Sequence, residues 1–150
     1  MSVLMMQIDD VTSKIIEASI QIHRDLGPGL LESVYQAVLE RALTRQGLKF
    51  EAQLPVSFEY EGVRYREAFR ADLLVERLVL VELKSVEALA YVHHKQVLTY
   101  LRLLNVPVGL LINFNGPTLK RGLRRIVNDL DPRASHLLRV NKEKARDQPE

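Results

Sequence analysis

The chain has no cysteine among its 150 residues, which removes disulfides, thiolate zinc sites, iron–sulfur clusters and cysteine nucleophiles together. That is compatible with the cytosol, and a cytoplasmic protein is expected. No His/Cys spacing suggests zinc. His93 and His94 are adjacent on an expected helix, so they point about 100° apart and at most one can face a site; solvent exposure is expected for both. No uncharged apolar run approaches the roughly 20 residues a membrane helix needs, and no membrane association is expected. Met1 to Asp10 has no basic region before a short apolar stretch and carries Asp9 and Asp10, so it does not read as a signal peptide. No glycine-rich loop opens a helix after a strand, which leaves nucleotide hydrolysis without its phosphate cradle. Ser33 and Ser85 lack an evident histidine-and-acid arrangement, which speaks against serine hydrolysis.

What is present suits one compact domain. Apolar residues make up 47% and charged residues 27%, ordinary values for a soluble globular protein. A chain of this length buries roughly two thirds of its unfolded surface and needs no covalent staples. The formal charge of +2 is unevenly spread: residues 1–119 carry a net −2 and residues 120–150 a net +4. A basic end can touch a phosphate backbone, although a charge run is more often a solvated tail. A single domain over residues 1–130 and a charged C-terminal tail over 131–150 are expected, with Leu137-Leu138 as a short apolar anchor.

Helix and strand periods alternate along the chain. Asp9 or Asp10 can cap a first helix running through Ile15, Ile16, Ala18, Ile20 and Ile22 to about Leu26, and Gly27-Pro28-Gly29 breaks it. A second helix from about Leu31 to Gln46 carries Leu31, Val34, Tyr35, Val38, Leu39 and Ala42 at helical spacing and stops at Gly47. Strand patterns follow over 49–53, 56–60, 63–66, 68–75 and 78–84, with Glu61-Gly62 and Glu76-Arg77 as turns. A third helix spans about Tyr91 to Leu104. Val108–Phe114 is an apolar run of strand length, as for a strand covered on both faces, and residues 120–128 read as a strand rather than a helix. The order helix, three strands, helix, strand predicts an α/β domain with a mixed central sheet flanked by helices.

Two charges stand where they do not belong. In Leu78-Val79-Leu80-Val81-Glu82-Leu83-Lys84, side chains alternate between faces, so Leu78, Leu80, Glu82 and Lys84 share one. That face is apolar until its last residues. Burying charge there costs several kcal/mol unless the charges are paired or bind an ion. An isolated Glu-x-Lys is better read as an ion pair at a strand end, but the preceding strand changes that reading. An antiparallel hairpin about Glu76-Arg77 sets Asp72 roughly opposite Leu80 to Glu82. Two carboxylates converging beside a lysine suit Mg²⁺, which takes oxygen ligands and commonly one or two carboxylates. Gln96 and Tyr100 share a face of the third helix. Glu32 and Tyr35 stand near the start of the second, where Glu32 alone is explained by the helix dipole.

Gly29-Leu30-Leu31-Glu32-Ser33-Val34-Tyr35 matches the Gly-x-x-Glu-x-x-Tyr signature of the GxxExxY proteins, a group within the PD-(D/E)XK nuclease-like superfamily. The resemblance continues through Arg70-Ala71-Asp72-Leu73-Leu74-Val75, Val81-Glu82-Leu83-Lys84 and Leu110-Leu111-Ile112-Asn113-Phe114-Asn115, and covers about Ile15 to Val127. It implies a restriction-endonuclease-like αβββαβ core, with Asp72, Glu82 and Lys84 as the Asp…Glu-x-Lys centre. Ala71 stands where the superfamily name has proline, a variable position. Gln96-Val97-Leu98-Thr99-Tyr100 resembles the Gln-x-x-x-Tyr motif of the exonuclease-like branch, and Glu32 resembles an acidic residue carried on the helix before the sheet.

The reading that follows is metal-dependent hydrolysis of nucleic-acid phosphodiester bonds, in DNA rather than RNA. Asp72, Glu82 and the Leu83 carbonyl are expected to hold Mg²⁺ or Mn²⁺, with Glu32 orienting its water or helping a second ion. Lys84 is expected to hold the attacking water or the phosphate as a point charge, and Gln96 to position Lys84 or the substrate. Tyr35, Tyr100 and Arg70 are expected to brace the site or contact substrate. A symmetric homodimer is the default for a small nuclease that cuts both strands. The alternative is a nuclease fold that binds nucleic acid or a partner protein without cutting.

Overall fold

The computed structural model describes residues 2–128. Within them the chain forms α1 (Val3–Leu26), α2 (Glu32–Arg45), β1 (Phe50–Tyr60), β2 (Val63–Val75), β3 (Val79–Lys84), α3 (Tyr91–Leu104), β4 (Val108–Asn113) and β5 (Leu123–Val127), the last entered through a 3-10 turn at Lys120–Gly122. From α2 to β4 this is the expected αβββαβ order, with α1 and β5 added at its ends. The tail expected over 131–150, with Leu137-Leu138, lies outside the described residues.

The strands form one sheet in the order β1-β2-β3-β4-β5. β3 and β4 are parallel and the other pairs antiparallel. Every residue of β4 is buried, and every residue of β3 but Lys84, because helices cover both faces. On one side Val79, Val81, Leu83, Leu110 and Ile112 pack with Ile15, Leu39 and Leu43 of α1 and α2. On the other, Leu74, Leu80 and Leu111 pack with Val97 and Leu101 of α3. Helix α3 comes so close to β4 that a Cβ on Gly109 would lie 2.7 Å from a Val97 methyl.

Four boundaries differ from the sequence expectation, one of them that of β5, which starts only at Leu123 because Lys120–Gly122 form a 3-10 turn where a strand was expected over 120–128. Helix α1 begins at Val3 instead of after Asp9 or Asp10, because the Ser2 hydroxyl accepts the Met5 N–H. The buried stripe starts only at Ile8, and Val3, Leu4, Met5 and Met6 are exposed, so periodicity is silent over the first turns. β1 is one strand that runs through Pro55, which an edge strand tolerates because its N–H is not required on the open side. β2 is likewise continuous, absorbing Glu67 at φ 49° where the register shifts between Val56 and Phe58. The β2–β3 hairpin is tight, as expected, but one residue longer: Val75 pairs with Val79, so Leu78 joins Glu76 and Arg77 in the turn. Glu76 and Arg77 both take left-handed conformations (φ 53° and 54°), and the Leu78 N–H closes the turn on the Val75 carbonyl at 3.0 Å.

Gly122 sits against the end of β4. An added Cβ would collide with the Asn113 carbonyl oxygen, and backbone does not yield as a flexible side chain does. Gly122→Ala is expected to destabilise the protein by about 1–3 kcal/mol. Thermal unfolding checks this, and an unchanged Tm would show that the contact relaxes freely.

Candidate active site

The site lies where β2 and β3 stop pairing. Their ladder runs Val75↔Val79, Leu74↔Leu80 and Leu73↔Val81, and the next step would join Asp72 to Glu82. Side chains take over at that step. The Asp72 N–H donates to Glu82 Oε1 at 3.1 Å, and the Leu83 N–H donates to Asp72 Oδ2 at 2.8 Å. Each carboxyl thus takes a main-chain donor of the opposite strand, and the two carboxyls are held in contact.

This geometry has an electrostatic consequence. Glu82 is only 6% exposed, and its pKa is pushed up from 4.5 to about 8. Burial is the largest cause and the Asp72 charge adds to it, against the Asp72 N–H and the Lys84 ammonium, which favour the carboxylate. Tyr100 of α3 is also raised, by burial first and then by Glu82 and Asp72, so its phenol lies within electrostatic reach of both acids. Its ring stacks on Phe69 at 3.8 Å.

Lys84 is the last residue of β3 and is half-buried. Its carbonyl accepts the Phe114 N–H at 2.9 Å, so the Lys84 main chain faces the β4 side. The main-chain groups of Leu83 point the other way along the strand, towards Asp72. The pair of acids, a carbonyl on the same edge and a nearby ammonium form an oxygen-rich donor set of the kind a hard divalent cation takes. A cation there would offset the like-charge repulsion that now favours protonated Glu82.

Helix α2 supplies the opposite wall. Asp72, Glu32, Ser33, Gln36, Gln53, Ser85, Asn115 and the Gly29–Leu31 loop line one cleft of about 750 Å³. Glu32 is exposed, and its Oε1 accepts the Ser85 N–H at 3.2 Å. Among the described residues no group of three or more acidic, histidine or cysteine side chains is gathered to hold a metal. Glu32 therefore shares the cleft with Asp72 without joining the Asp72–Glu82 pair. Tyr35 is fully buried and stacked on Phe114 at 4.4 Å, so it braces the site from within. Gln96 is exposed on α3 one turn before Tyr100. Arg70 is exposed and paired with Glu67 at 3.1 Å, a surface contact weak enough to exchange. His93 and His94 are half-buried where exposure was expected. His93 Nδ1 accepts the Ala90 N–H at the start of α3, and His94 lies against Tyr91.

Three residues of the site escaped the sequence reading. Gln36 is buried and donates from Nε2 to the Asp72 carbonyl at 3.2 Å. Gln53 donates to Gln36 Oε1 at 2.8 Å and approaches Asp72 Oδ1 at 3.4 Å, from a left-handed backbone at φ 48°. Buried Asn113 ends β4; its Oδ1 accepts the Val86 and Asn115 N–H groups and its Nδ2 donates to the Val86 carbonyl, which ties down the chain beyond Lys84. The one available signal was Gln36, four residues after Glu32 and so on its helix face.

A family model described as the PD-(D/E)XK nuclease superfamily matches residues 9–126, a span from α1 into β5 that contains every residue of this cleft. No curated protein and no solved structure matches the chain.

The Glu82 shift predicts a pH dependence. Folded, Glu82 keeps its proton up to about pH 8; unfolded, only to about 4.5. Stability present at low pH is therefore lost as the pH rises through 8. Without divalent cations, the wild-type Tm should fall relative to that of Glu82→Gln across this interval, by the equivalent of a few kcal/mol. The variant keeps an oxygen for the Asp72 N–H and cannot ionise. Parallel curves for the two proteins would contradict the buried, acid-paired placement of Glu82.

Proposed function

The chain belongs to the PD-(D/E)XK nuclease superfamily, and on that footing we propose that it hydrolyses phosphodiester bonds of DNA with Mg²⁺ or Mn²⁺ held by Asp72 and Glu82. The observation that carries this reading is the direct contact of those two carboxyls where β2 and β3 part, with Lys84 two residues beyond Glu82 on the same strand.

When bound, the cation supplies an acidified water and offsets negative charge on the phosphate. The rest falls to the chain. Asp72 and Glu82 hold the cation, with the Leu83 carbonyl on the same strand edge. Lys84 places its ammonium against the attacking water or a phosphate oxygen, where charge builds up in the transition state. Gln36 and Gln53 fix the Asp72 main chain and carboxylate, so that the metal oxygens are set before substrate arrives. Glu32 holds the Ser85 amide and faces the cleft, where it orients water. Gln96, Tyr100 and Arg70 lie on the α3 and β2 side and serve substrate positioning. A cytoplasmic setting fits a chain without cysteine, and among the described residues no helix is long and apolar enough to cross a membrane.

The test is cleavage of single- and double-stranded DNA and RNA by the full chain, with Mg²⁺, Mn²⁺ or EDTA. Chelation should abolish cleavage, and Lys84→Ala and Asp72→Asn should each lower it at least ~100-fold. Equal behaviour of wild type and Lys84→Ala would end the enzyme reading. Salt-dependent DNA binding that survives Asp72→Asn, with neither protein cutting, would replace it with a binding module. Light scattering of the same samples tests the homodimer.

Within the site, Gln36→Leu leaves the Asp72 carbonyl and the Gln53 amide without their partner. It should cost about 1–3 kcal/mol of stability and weaken Mn²⁺ binding, read by titration calorimetry. Unchanged Mn²⁺ affinity would show that the two amides do not position Asp72.

A further inference from the structure

Beside Glu32 the rim of the cleft carries two leucines, Leu30 and Leu31, and nothing in the fold requires them there. Leu31 stands at the N-cap of α2, where Ser, Thr, Asp or Asn ordinarily accepts a helix N–H. Its side chain makes no capping bond, and it is 74% exposed. It therefore neither caps the helix nor packs in the core. Leu30 and Val34 beside it are 38% and 40% exposed. One exposed leucine is unremarkable, but three neighbouring apolar residues with a forfeited cap are a local rule broken at a functional cleft.

The loop carrying these leucines is held rigidly. The Leu30 N–H donates to the Tyr35 hydroxyl at 3.2 Å, and the Leu30 carbonyl accepts from Ser85 Oγ at 2.9 Å. The Tyr35 hydroxyl donates in turn to the Gly27 carbonyl at 2.5 Å, and the Tyr35 ring is locked against Phe114. Gly29 takes φ +103°, a conformation other residues resist. The main chain of Leu30 is thereby fixed. Leu30 and Leu31 stand at the mouth of a cleft that Asp72 also lines.

We propose that Leu30 and Leu31 form an apolar lip that receives the face of an unstacked nucleobase beside the scissile phosphate, so that single strands and strand ends are the preferred substrates. The proposal rests on the nuclease reading and names the substrate form for that site. Its basis is chemical. Within a duplex, base faces are covered by their neighbours, and separating one step costs a few kcal/mol. A braced leucine therefore meets a base face cheaply only where stacking is already interrupted. Stacking on protein side chains is tolerant of sequence because every base has such a face. The polar floor suits a phosphate and its cation, and the apolar rim suits the base attached to it.

Leu31→Ser separates function from folding, because serine supplies the missing cap. Its Tm should rise by roughly 2–6 °C while its binding falls. Fluorescence anisotropy in Ca²⁺ with the full chain would compare a short single-stranded oligodeoxynucleotide, an abasic oligomer of the same length, and the same sequence closed into a duplex without ends. Wild type should bind the base-bearing single strand at least ~5-fold more tightly than either control, and Leu31→Ser should lose that preference. Equal affinities for the three probes, an unaltered preference in Leu31→Ser, or a fall in its Tm would overturn the lip, as would an effect confined to self-association in light scattering. Cleavage in Mg²⁺ that ignores these differences would sink the lip and leave the nuclease reading intact. Base-dependent binding without cleavage would do the reverse.

Discussion

The site depends on one substitution of partners. At the step after Leu73↔Val81, the main-chain donors of Asp72 and Leu83 turn from the opposite strand's carbonyls to the side chains of Glu82 and Asp72. That exchange lets the strands part without orphaning buried amides, which is the condition for opening a sheet at all. It also places Glu82 where burial and the neighbouring Asp72 disfavour its charge, and the raised pKa of Glu82 is the result. The same contact that joins the two strands sets two carboxyl groups side by side.

Such an arrangement persists only on a rigid support. β3 lies in mid-sheet with an apolar layer on each face, so Glu82 cannot escape to solvent by moving its backbone. Beyond Lys84 the chain is tied by Asn113 to β4 and by Glu32 to the start of α2. Tyr35 links α2 back to the loop before it. The end of β3, the parallel strand beside it and the N-terminus of α2 thus form one hydrogen-bonded unit. The amides of Gln36 and Gln53 extend that unit to Asp72 from below. Polar residues here serve orientation, whereas the packing that makes orientation possible comes from the leucines and valines behind them.

The two walls of the cleft differ in kind. Asp72 and the amides of Gln36 and Gln53 line one part, and the loop before α2 offers exposed leucine beside Glu32 at the cost of a helix cap. Local stability is given up at the rim, and repulsion between acids is accepted at the floor. Leu31 and Asp72 border the same opening, and the surrounding core holds them there.

Periodicity and turn chemistry determined more than the outline of the fold. The alternation through Leu80, Glu82 and Lys84, and a hairpin at Glu76-Arg77, were enough to bring Asp72 roughly opposite Leu80 to Glu82; the register itself was decided by Leu78 joining the turn, because strand register follows from turn length. The span of α3 was equally legible, since its apolar spacing and Pro107 bound it. Contacts between distant segments were not. No sequence period reveals that Glu32 turns to the Ser85 amide, that Gln36 reaches the Asp72 carbonyl from α2, or that Gln53 adopts a left-handed backbone to meet it. Nor could it show that the ladder opens at Asp72, because that opening exists only when side chains from two strands exchange for main-chain partners. Sequence determined which groups could meet along neighbouring strands; tertiary packing decided which of them lose water, and that loss is the largest cause of the raised pKa of Glu82.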